Sequence, residues 1–474
     1  MSLHYTTAVE LSAMLRARTL SAEELMRATI DRIDATNSAL NAIVSWIPER
    51  ALEAAVAADE RLASGAAVGP LHGLPIAHKD LVNTAGIRTT FGSPLYRDFV
   101  PRTDDLIVQR LRAAGAITIG KTNTPEFGAG SQTFNRVFGE TLNPYDVSTT
   151  CGGSSGGAAV ALAAGMIAIA DGSDMGGSLR NPASFCNVVG MRPSPGRVPA
   201  YPALLGWSGL SVSGPMARSV SDAALLLSAI AGPDSRSPIA LDTPGERFAR
   251  PLERDFAGVR VAWSPDLGGL PVDRRVTAVL EASRDVFGEL GCRLDAAEPD
   301  LRSAHEVFQV LRAWSFSTRF ANLADATRAE LKDTIVWNIE RGRALSGDEV
   351  GAAEAERTQL YQHMREFMQT YEFLLLPVSQ VPPFDVSQRY VKEIEGVKME
   401  TYIDWMRSCY AITVTGHPAI SVPCGFTPEG LPVGIQIVGR HRDDFGVLQL
   451  AYAFEQATRF GDQHPALAAD PAAS

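Results

Sequence analysis

Two glycine- and serine-rich clusters lie close together in the chain and limit its fold more than any other feature. They are GGSSGG at 152–157 and GSDMGGS at 172–178, separated by a mostly apolar stretch. Glycine loses more conformational freedom on folding than any other residue, so two such clusters need a structural or functional reason. Tight turns are one reason. The approach of several backbone N–H groups to a developing negative charge, as in an oxyanion hole, is another.

The first cluster also matches GxSxG, the nucleophile pattern of α/β-hydrolases, at residues 152–156. That interpretation would make Ser154 the nucleophile and would require a downstream acid and a histidine. The polar contexts of His441 and His464 are typical of the surface, and His417 lies in the turn-like TGHPA. Because a glycine-rich run matches GxSxG easily, we prefer a serine nucleophile that uses a different base.

A lysine can replace histidine as the base if burial holds it neutral, because removal from water disfavours the charged form. Lys79 and Lys121 each follow a short apolar run, LPIA and AITIG, at the predicted end of a strand. Lysines at strand ends usually extend to solvent. From the local pattern alone, both lysines stay candidates.

Strand and helix signals alternate along most of the chain. Capping boxes at Thr7–Glu10 and Ser21–Glu24 start the predicted N-terminal helices. The other predicted helices cover 48–63, 104–114, 156–166 and 220–231; the predicted strands are one ending at Lys79, then 116–120, 166–171, 258–263, 372–377, 418–423 and 431–438. This alternation predicts an α/β fold with a mixed, largely parallel central sheet covered by helices on both faces.

The chain has no linker, low-complexity tract or internal repeat that would divide it. We therefore predict a single domain over 1–463, followed by a loose Ala/Pro-rich tail at 464–474. Within the domain we expect N-terminal helices at 1–65, a core with both glycine-rich clusters at 70–230, and the remaining sheet with variable segments at 231–463.

Composition limits the partners and the compartment. The 474 residues include 43 Lys and Arg against 54 Asp and Glu, a net charge of −11 that argues against a nucleic-acid partner. The five cysteines are scattered and no HExxH occurs, so we expect a reducing, cytoplasmic compartment and no metal. Glu10, Arg16 and Arg18 interrupt any apolar N-terminal segment, so we expect no signal peptide. The longest uncharged stretch, 147–170, is rich in Gly, Ser and Thr and only modestly apolar, so we expect no membrane span.

Five ordered blocks of the sequence resemble the amidase-signature family, from the N-terminal helices to about residue 460. The blocks are LHGLPIAHKD at 71–80, AITIGKTNTPEFG at 116–128, the two glycine-rich clusters with their continuation to 199, SGPMARSVSDAALLL at 213–227, and PAISVPCGF with GLPVGIQIVGR at 418–440. Their order and spacing make coincidence negligible.

This resemblance implies the catalytic roles that the residues alone left open. It implies that Lys79 is the neutral base, that Ser154 relays protons, and that Ser178 is the nucleophile that forms an acyl-enzyme. The implied reaction is hydrolysis of a carbon–nitrogen amide bond, with no cofactor. Carbamate and ester cleavage stay open as side activities, because they pass through the same type of intermediate.

The resemblance also implies the surroundings of these residues. The peptide bond at Ser154 would be cis, and the backbone N–H groups of Met175, Gly176 and Gly177, with Ser178 as a further candidate, would form the oxyanion hole. Met175 departs from the small or β-branched residue common in the family, and its side chain could fill the core or reach the pocket. The implied supporting residues are Ser155, Asp174 and Arg180.

Two aromatic-bearing stretches, at 201–210 and 306–320, fall between the family blocks. An apolar lining from such segments would suit a small amide or anilide with an apolar or aryl group. The residues predicted to line the pocket are Phe127, Trp207, Trp314 and Phe316. The alternative is the amidase subunit of a glutamine-dependent tRNA amidotransferase. A homodimer is left open.

Overall fold

The computed structural model describes residues 3–467 of the chain. In this range the helices are α1 (Ala8–Arg16), α2 (Ala22–Leu40), α3 (Pro48–Ala63), α4 (Leu106–Ala113), α5 (Gly156–Ala163), α6 (Arg180–Phe185), α7 (Val220–Ile230), α8 (Arg274–Glu289), α9 (Ala304–Arg319), α10 (Asp325–Arg328), α11 (Asp333–Ala344), α12 (Gly347–Thr370), α13 (Arg407–Thr415) and α14 (Asp444–Thr458). The strands are β1 (Ile43–Val44), β2 (Pro75–Lys79), β3 (Ile117–Thr122), β4 (Phe134–Asn135), β5 (Gly139–Glu140), β6 (Ile169–Asp174), β7 (Val189–Arg192), β8 (Val212–Ala217), β9 (Arg260–Trp263), β10 (Arg293–Ala296), β11 (Phe373–Pro377), β12 (Glu393–Ile394), β13 (Val397–Lys398), β14 (Ala419–Phe426) and β15 (Pro432–Gly439).

The largest sheet has eight strands in the order β10-β9-β11-β15-β14-β7-β8-β6. Its mixed character confirms the predicted α/β class. The expectation of a largely parallel sheet is wrong, since parallel pairing in this sheet is confined to β10, β9 and β11 and the other neighbours are antiparallel. The pairs β7–β8 and β14–β15 follow each other along the chain without a helix between them, and a parallel pair would require such a crossover.

A second sheet of three strands, in the order β1-β3-β2, carries both candidate lysines. Its strands β2 and β3 are parallel and are connected through α4. The register pairs His78 with Lys121 and Lys79 with Thr122. Strand β2 also contacts β6 of the large sheet, which brings the end of β2 close to the second glycine-rich cluster.

The N-terminal helices begin where the capping boxes predict. The side chains of Thr7 and Ser21 accept hydrogen bonds from the N–H groups of Glu10 and Glu24, and each glutamate bonds back to its cap. The larger apolar cluster of the described residues extends from α1 to α14, so these helices share one core with the large sheet. The predicted subdivision of the chain stays a prediction.

Two predicted boundaries differ from the structure between the glycine-rich clusters. Helix α5 ends at Ala163, earlier than predicted, and β6 begins at Ile169, three residues later than the strand predicted at 166–171. Gly165 has φ +70, a left-handed conformation that ends the helix and redirects the chain before β6. The strand pair β7 and β8 had no counterpart in the prediction.

Part of the predicted tail, residues 468–474, lies outside the described residues. At its start, His464 stacks on Tyr5 with ring centroids 3.7 Å apart. No helix in the described range is long and apolar enough to cross a membrane. The cysteines, all within that range, are buried free thiols.

Candidate active site

Strand β2 ends at Lys79, whose side chain is fully buried and surrounded by serine hydroxyls. Lys79 Nζ lies 2.8 Å from both Ser154 Oγ and Ser155 Oγ. It also lies 3.1 Å from Ser173 Oγ, on β6. The contact between β2 and the large sheet therefore places the lysine at the junction of the two glycine-rich clusters.

Burial controls the protonation of Lys79. Removal of the ammonium from water lowers the pKa of Lys79 to about 7, although the carboxylates of Asp174 and Asp171 act in the opposite direction. Asp171 is fixed in place, since it accepts a hydrogen bond from the Lys79 N–H at 3.3 Å and lies 2.7 Å from His78 Nδ1. At neutral pH a large fraction of Lys79 is therefore a neutral amine, which can accept a proton.

Ser154 and Ser155 are equally close to the lysine but occupy different surroundings. The Gly153–Ser154 peptide bond is cis, as the family resemblance implies. Ser154 lines a cavity that opens above the two glycine-rich clusters, whereas Ser155 is fully buried at the start of α5. The Ser155 N–H donates to the carbonyl of Ser178 at 3.2 Å and ties the two clusters together.

Ser178 lies in the turn that connects β6 to α6. The turn needs glycine at position 177, because φ there is +115 and an added Cβ would lie 2.6 Å from the Cβ of Cys409. The Gly177 N–H donates to Asp174 Oδ1 at 3.0 Å, and the Leu179 N–H donates to the other carboxylate oxygen at 3.2 Å. Asp174 thus fixes the turn on both sides of Ser178.

The same turn leaves several backbone N–H groups available to a ligand. Within residues 3–467, the N–H groups of Met175, Gly176 and Ser178 have no hydrogen-bond acceptor, and all three residues line the cavity. Gly177 was also predicted to contribute an N–H group to the oxyanion hole, but in this geometry that N–H is already bonded to Asp174. The three residues whose N–H groups are free nevertheless border the cavity next to Ser178.

Asp174 is held as a buried carboxylate by two arginines. The Arg180 guanidinium contacts both of its oxygens, at 3.0 and 2.9 Å. Arg192, which the sequence did not single out, contacts Asp174 Oδ1 at 3.3 Å. Burial opposes ionisation, but the two guanidinium groups outweigh it and hold the pKa of Asp174 well below its usual range. Asp174 is therefore an anchor for the turn.

The nucleophile-elbow interpretation of GxSxG requires a histidine beside Ser154, and the structure does not provide one. Among the described residues, the base within hydrogen-bond distance of Ser154 is Lys79, and no histidine contacts Ser154 or Ser178. His78 lies next to the lysine in the chain, but it contacts Asp171 and Thr118. Within the same residues, no group of three His, Cys, Asp or Glu side chains is placed to hold a metal ion.

The cavity above Ser154 and Ser178 has a volume of about 550 Å³ and a largely apolar wall. Phe127 and Phe316, two of the residues predicted to line the substrate pocket, border this cavity. Met175 borders it as well and also packs against the main apolar cluster. Further apolar residues of the wall are Leu81, Phe91, Val198, Phe308, Ile403 and Met406. Among these six, Phe308 belongs to the predicted stretch 306–320, and the other five lie outside both predicted stretches.

Trp207 and Trp314, the other predicted pocket residues, do not line this cavity. Trp207 is 81% exposed and borders a separate surface cavity. Trp314 lies on α9, but its position on the helix turns it away from the cavity. The α9 residues that line the cavity are Phe308, Arg312, Ser315, Phe316 and Arg319. Their spacing is that of one helix face, and a helical-face analysis of 304–319 would have separated them from Trp314.

Comparison with known proteins places the chain in a family. The amidase family model matches residues 24–448. An acylamidase from Rhodococcus erythropolis is 36% identical over 468 residues, which cover 98% of each chain. The chain belongs to the amidase-signature family. Another similar protein is a glutamyl-tRNA(Gln) amidotransferase subunit from Moorella thermoacetica, which is 36% identical over 491 residues, 98% of this chain and 99% of that one.

A solved structure supports the same conclusion. The crystal structure of a bacterial aryl acylamidase of the amidase-signature family superposes with a TM-score of 0.92 at 28% identity, over 99% of this chain and 100% of that one. The Ser–Ser–Lys arrangement is typical of the family, and the protein is an amide-hydrolysing enzyme.

Proposed function

We propose that this amidase hydrolyses a small amide or anilide with an apolar or aryl group, through an acyl-enzyme on Ser178. The observation that carries the proposal is the arrangement of three residues. A fully buried Lys79 lies 2.8 Å from Ser154 Oγ, and Ser154 and Ser178 face one cavity with an apolar wall. A base that is partly neutral at pH 7 is thus within reach of a hydroxyl that contacts the substrate space.

The reaction begins with proton transfer along the three residues. Neutral Lys79 accepts a proton from Ser154 as Ser154 accepts one from Ser178, and Ser178 Oγ attacks the amide carbonyl carbon. The protonated relay then returns a proton to the leaving nitrogen, so that the carbon–nitrogen bond breaks and an amine departs. Water attacks the resulting ester through the same relay and releases the acid.

The free backbone N–H groups beside Ser178 would stabilise the tetrahedral intermediate. The amides of Met175, Gly176 and Ser178 border the cavity and have no acceptor among the described residues. Each donor in such a position contributes about 3–4 kcal/mol to stabilisation of the transition state. We assign the oxyanion hole to these three residues.

The substrate class follows from the cavity wall. Phe91, Phe127, Phe308 and Phe316 surround the space above the serines, together with Met406. Burial of one aromatic substituent in such a wall contributes on the order of 2 kcal/mol, about thirtyfold in kcat/KM if it is expressed in the transition state. The acylamidase and aryl acylamidase relatives support this class. Carbamates and esters of similar shape are proposed secondary substrates.

The second candidate is the amidase subunit of a glutamine-dependent tRNA amidotransferase. It is favoured by relatives of this kind at the same identity as the acylamidase. Such a protein would use the same three residues to release ammonia from glutamine for a partner. The acidic chain, with a net charge of −11, offers little attraction for a tRNA backbone.

The test compares kcat/KM of the purified chain, without partners, for acetamide, phenylacetamide, 4-nitroacetanilide and glutamine. We expect kcat/KM for the two aryl substrates to exceed that for acetamide by about thirtyfold, and to exceed that for glutamine by a larger factor. Turnover of glutamine above the aryl substrates, or turnover only after a partner is added, would replace this proposal with the amidotransferase candidate.

A further inference from the structure

A second cavity adjoins the catalytic one. It has a volume of about 370 Å³. Four residues line both cavities, and we call them the collar: Asn83, Phe91, Phe127 and Arg319. We call the space beyond them the second compartment; its other lining residues are Leu95, Tyr96, Phe99, Phe320, Asn322 and Leu323. The two cavities therefore meet at the collar, and the compartment on its far side is largely aromatic.

The two phenylalanines of the collar have an unusual backbone. Phe91 has φ +53 and Phe127 has φ +49, and the Phe127 N–H donates to the carbonyl of Phe91 at 2.7 Å. Their rings stack with centroids 6.1 Å apart and an interplanar angle of 14°. Bulky residues seldom adopt this left-handed region, and such conformations concentrate at ligand-binding sites. The two rings form a flat apolar boundary between the cavities.

Arg319 is the charged member of the collar. It is the last residue of α9, and its guanidinium lies over the rings of Phe127 and Phe320, 5.3 and 5.8 Å from their centroids. Within the described range it forms no ion pair and donates no side-chain hydrogen bond. Arg312, on the same helix face, differs because it donates to Asn338 and Tyr402. The five N–H donors of Arg319 are thus available to a ligand.

Among the described residues, no carboxylate lies within ion-pair distance of Arg319. Asp105 lines the catalytic cavity, but it accepts hydrogen bonds from the N–H and the side-chain amide of Asn83, at 3.0 and 2.9 Å. The lining of the second compartment contains no Asp or Glu among the described residues. A cation flanked by aromatic rings and without a carboxylate partner suits the anionic end of an otherwise apolar ligand.

We propose that the catalytic cavity and the second compartment form one extended substrate site, which takes an amide with an apolar chain or ring that carries a carboxylate, and that Arg319 binds this carboxylate. The inference rests on the proposed function and specifies its substrate class. Arg319 is the residue that determines the preference for a charged over a neutral substrate.

The experiment uses two series of chromogenic anilides. In the first, 4-nitroanilides of dicarboxylic acids of increasing chain length are each compared with the methyl ester of the same length. In the second, acyl derivatives of 5-amino-2-nitrobenzoic acid are compared with the 4-nitroanilides that lack the carboxylate. The measured quantity is the ratio of kcat/KM for the anionic substrate to that for its neutral partner, in wild type, Arg319→Met, Arg319→Gln and Arg319→Lys.

We expect a ratio of about ten in at least one series, because a charge-assisted hydrogen bond to a solvent-accessible arginine lies at the low end of its range. Arg319→Met and Arg319→Gln should reduce this ratio to about one, and Arg319→Lys should keep part of it. The matched control is Arg302→Met, since Arg302 lies just before α9, is largely exposed and pairs with Asp300 at 2.7 Å. The control should keep the wild-type ratio.

A purely structural role for Arg319, as a cation over two rings at a helix C-terminus, would change stability without changing this ratio. The inference is overturned if neither series shows a preference for the anion, or if the preference survives Arg319→Met. If the anilides are inactive and glutamine is hydrolysed, the proposed function fails, and that result is distinct from anilide turnover without a charge preference.

Discussion

Lys79 and Lys121 lie at the ends of two neighbouring parallel strands, and both are fully buried. Burial lowers the pKa of Lys79 to about 7 and that of Lys121 to about 8, in each case against the attraction of nearby carboxylates. Their contacts differ. Lys79 Nζ meets serine hydroxyls beside the cavity, whereas Lys121 Nζ contacts the carbonyl of Val82 and the hydroxyl of Thr84.

The register of the small sheet accounts for this difference. His78 is paired with Lys121 and Lys79 with Thr122, so the two lysines lie on opposite faces of the sheet. The face of Lys79 meets the glycine-rich clusters, and Lys121 is attracted most strongly by Asp80. A lowered pKa therefore does not identify a catalytic lysine by itself. The lysine must also contact a hydroxyl that opens to the substrate.

The largest expected effect is at Ser178, the proposed nucleophile. Ser178→Ala should reduce kcat about a millionfold, because no other residue would form the acyl-enzyme. A fluorophosphonate probe should label Ser178 in the wild type and in Lys121→Met, as located by mass spectrometry of peptides. Labelling at Ser154 would instead support the nucleophile-elbow interpretation.

Exchange of each lysine for methionine tests the comparison directly. Lys79→Met should lower kcat roughly 10,000-fold and leave a folded protein, since it removes the base. Lys121→Met should keep kcat per folded molecule and destabilise the protein by about 1–3 kcal/mol, because the buried oxygens of Val82 and Thr84 lose their hydrogen-bond donor. Denaturant unfolding and kcat, measured on both variants, separate the two roles. A Lys121→Met variant that is stable but inactive would contradict this assignment, because the catalytic role would then belong to Lys121.

The two serines at 2.8 Å from Lys79 Nζ should differ in importance. Ser154→Ala should reduce kcat by about 1,000-fold, because it removes the relay to Ser178, whereas Ser155→Ala should reduce it by roughly tenfold. Burst kinetics with a 4-nitrophenyl ester would show which step is slowed. An equal loss of kcat in the two variants would mean that Ser154 and Ser155 share the proton relay.

The pH dependence should report the pKa of Lys79. In the proposed mechanism the neutral amine of Lys79 is the active form, and its pKa is about 7, so kcat/KM should fall about tenfold per pH unit below pH 7 and level off above it. Lys121→Met should leave the midpoint of the pH profile of kcat/KM unchanged, although Lys121 has a similar pKa. A midpoint that moves in this variant would link the two lysines, contrary to the separation described above.

The smallest expected effect is that of a chelator. No cluster of metal ligands exists among the described residues, so EDTA should change kcat/KM by less than about twofold. Loss of activity that a divalent ion restores would transfer the catalytic role from Lys79 to a metal and leave both lysines structural.

Much of the local structure was determined by short-range patterns in the sequence. The capping boxes of α1 and α2 and the bounds of α3 follow from residues within one or two helical turns. The glycines at 172–178 indicated a turn with free N–H groups, which the structure contains. The family blocks indicated which serines and which lysine to examine, and the structure places Ser154 and Ser178 at one cavity with the buried Lys79 behind Ser154.

The tertiary structure decided what depends on contacts between distant parts of the chain. It separated Lys79 from Lys121 by strand register and bonded the Gly177 N–H to Asp174, which removes Gly177 from the predicted oxyanion hole. The rotation of α9 also placed Phe316, and not Trp314, at the cavity. The tertiary structure also set the antiparallel order of most of the large sheet. Local patterns specify helix and strand periodicity, whereas register, helix rotation and hydrogen-bond partners are determined by packing against distant segments.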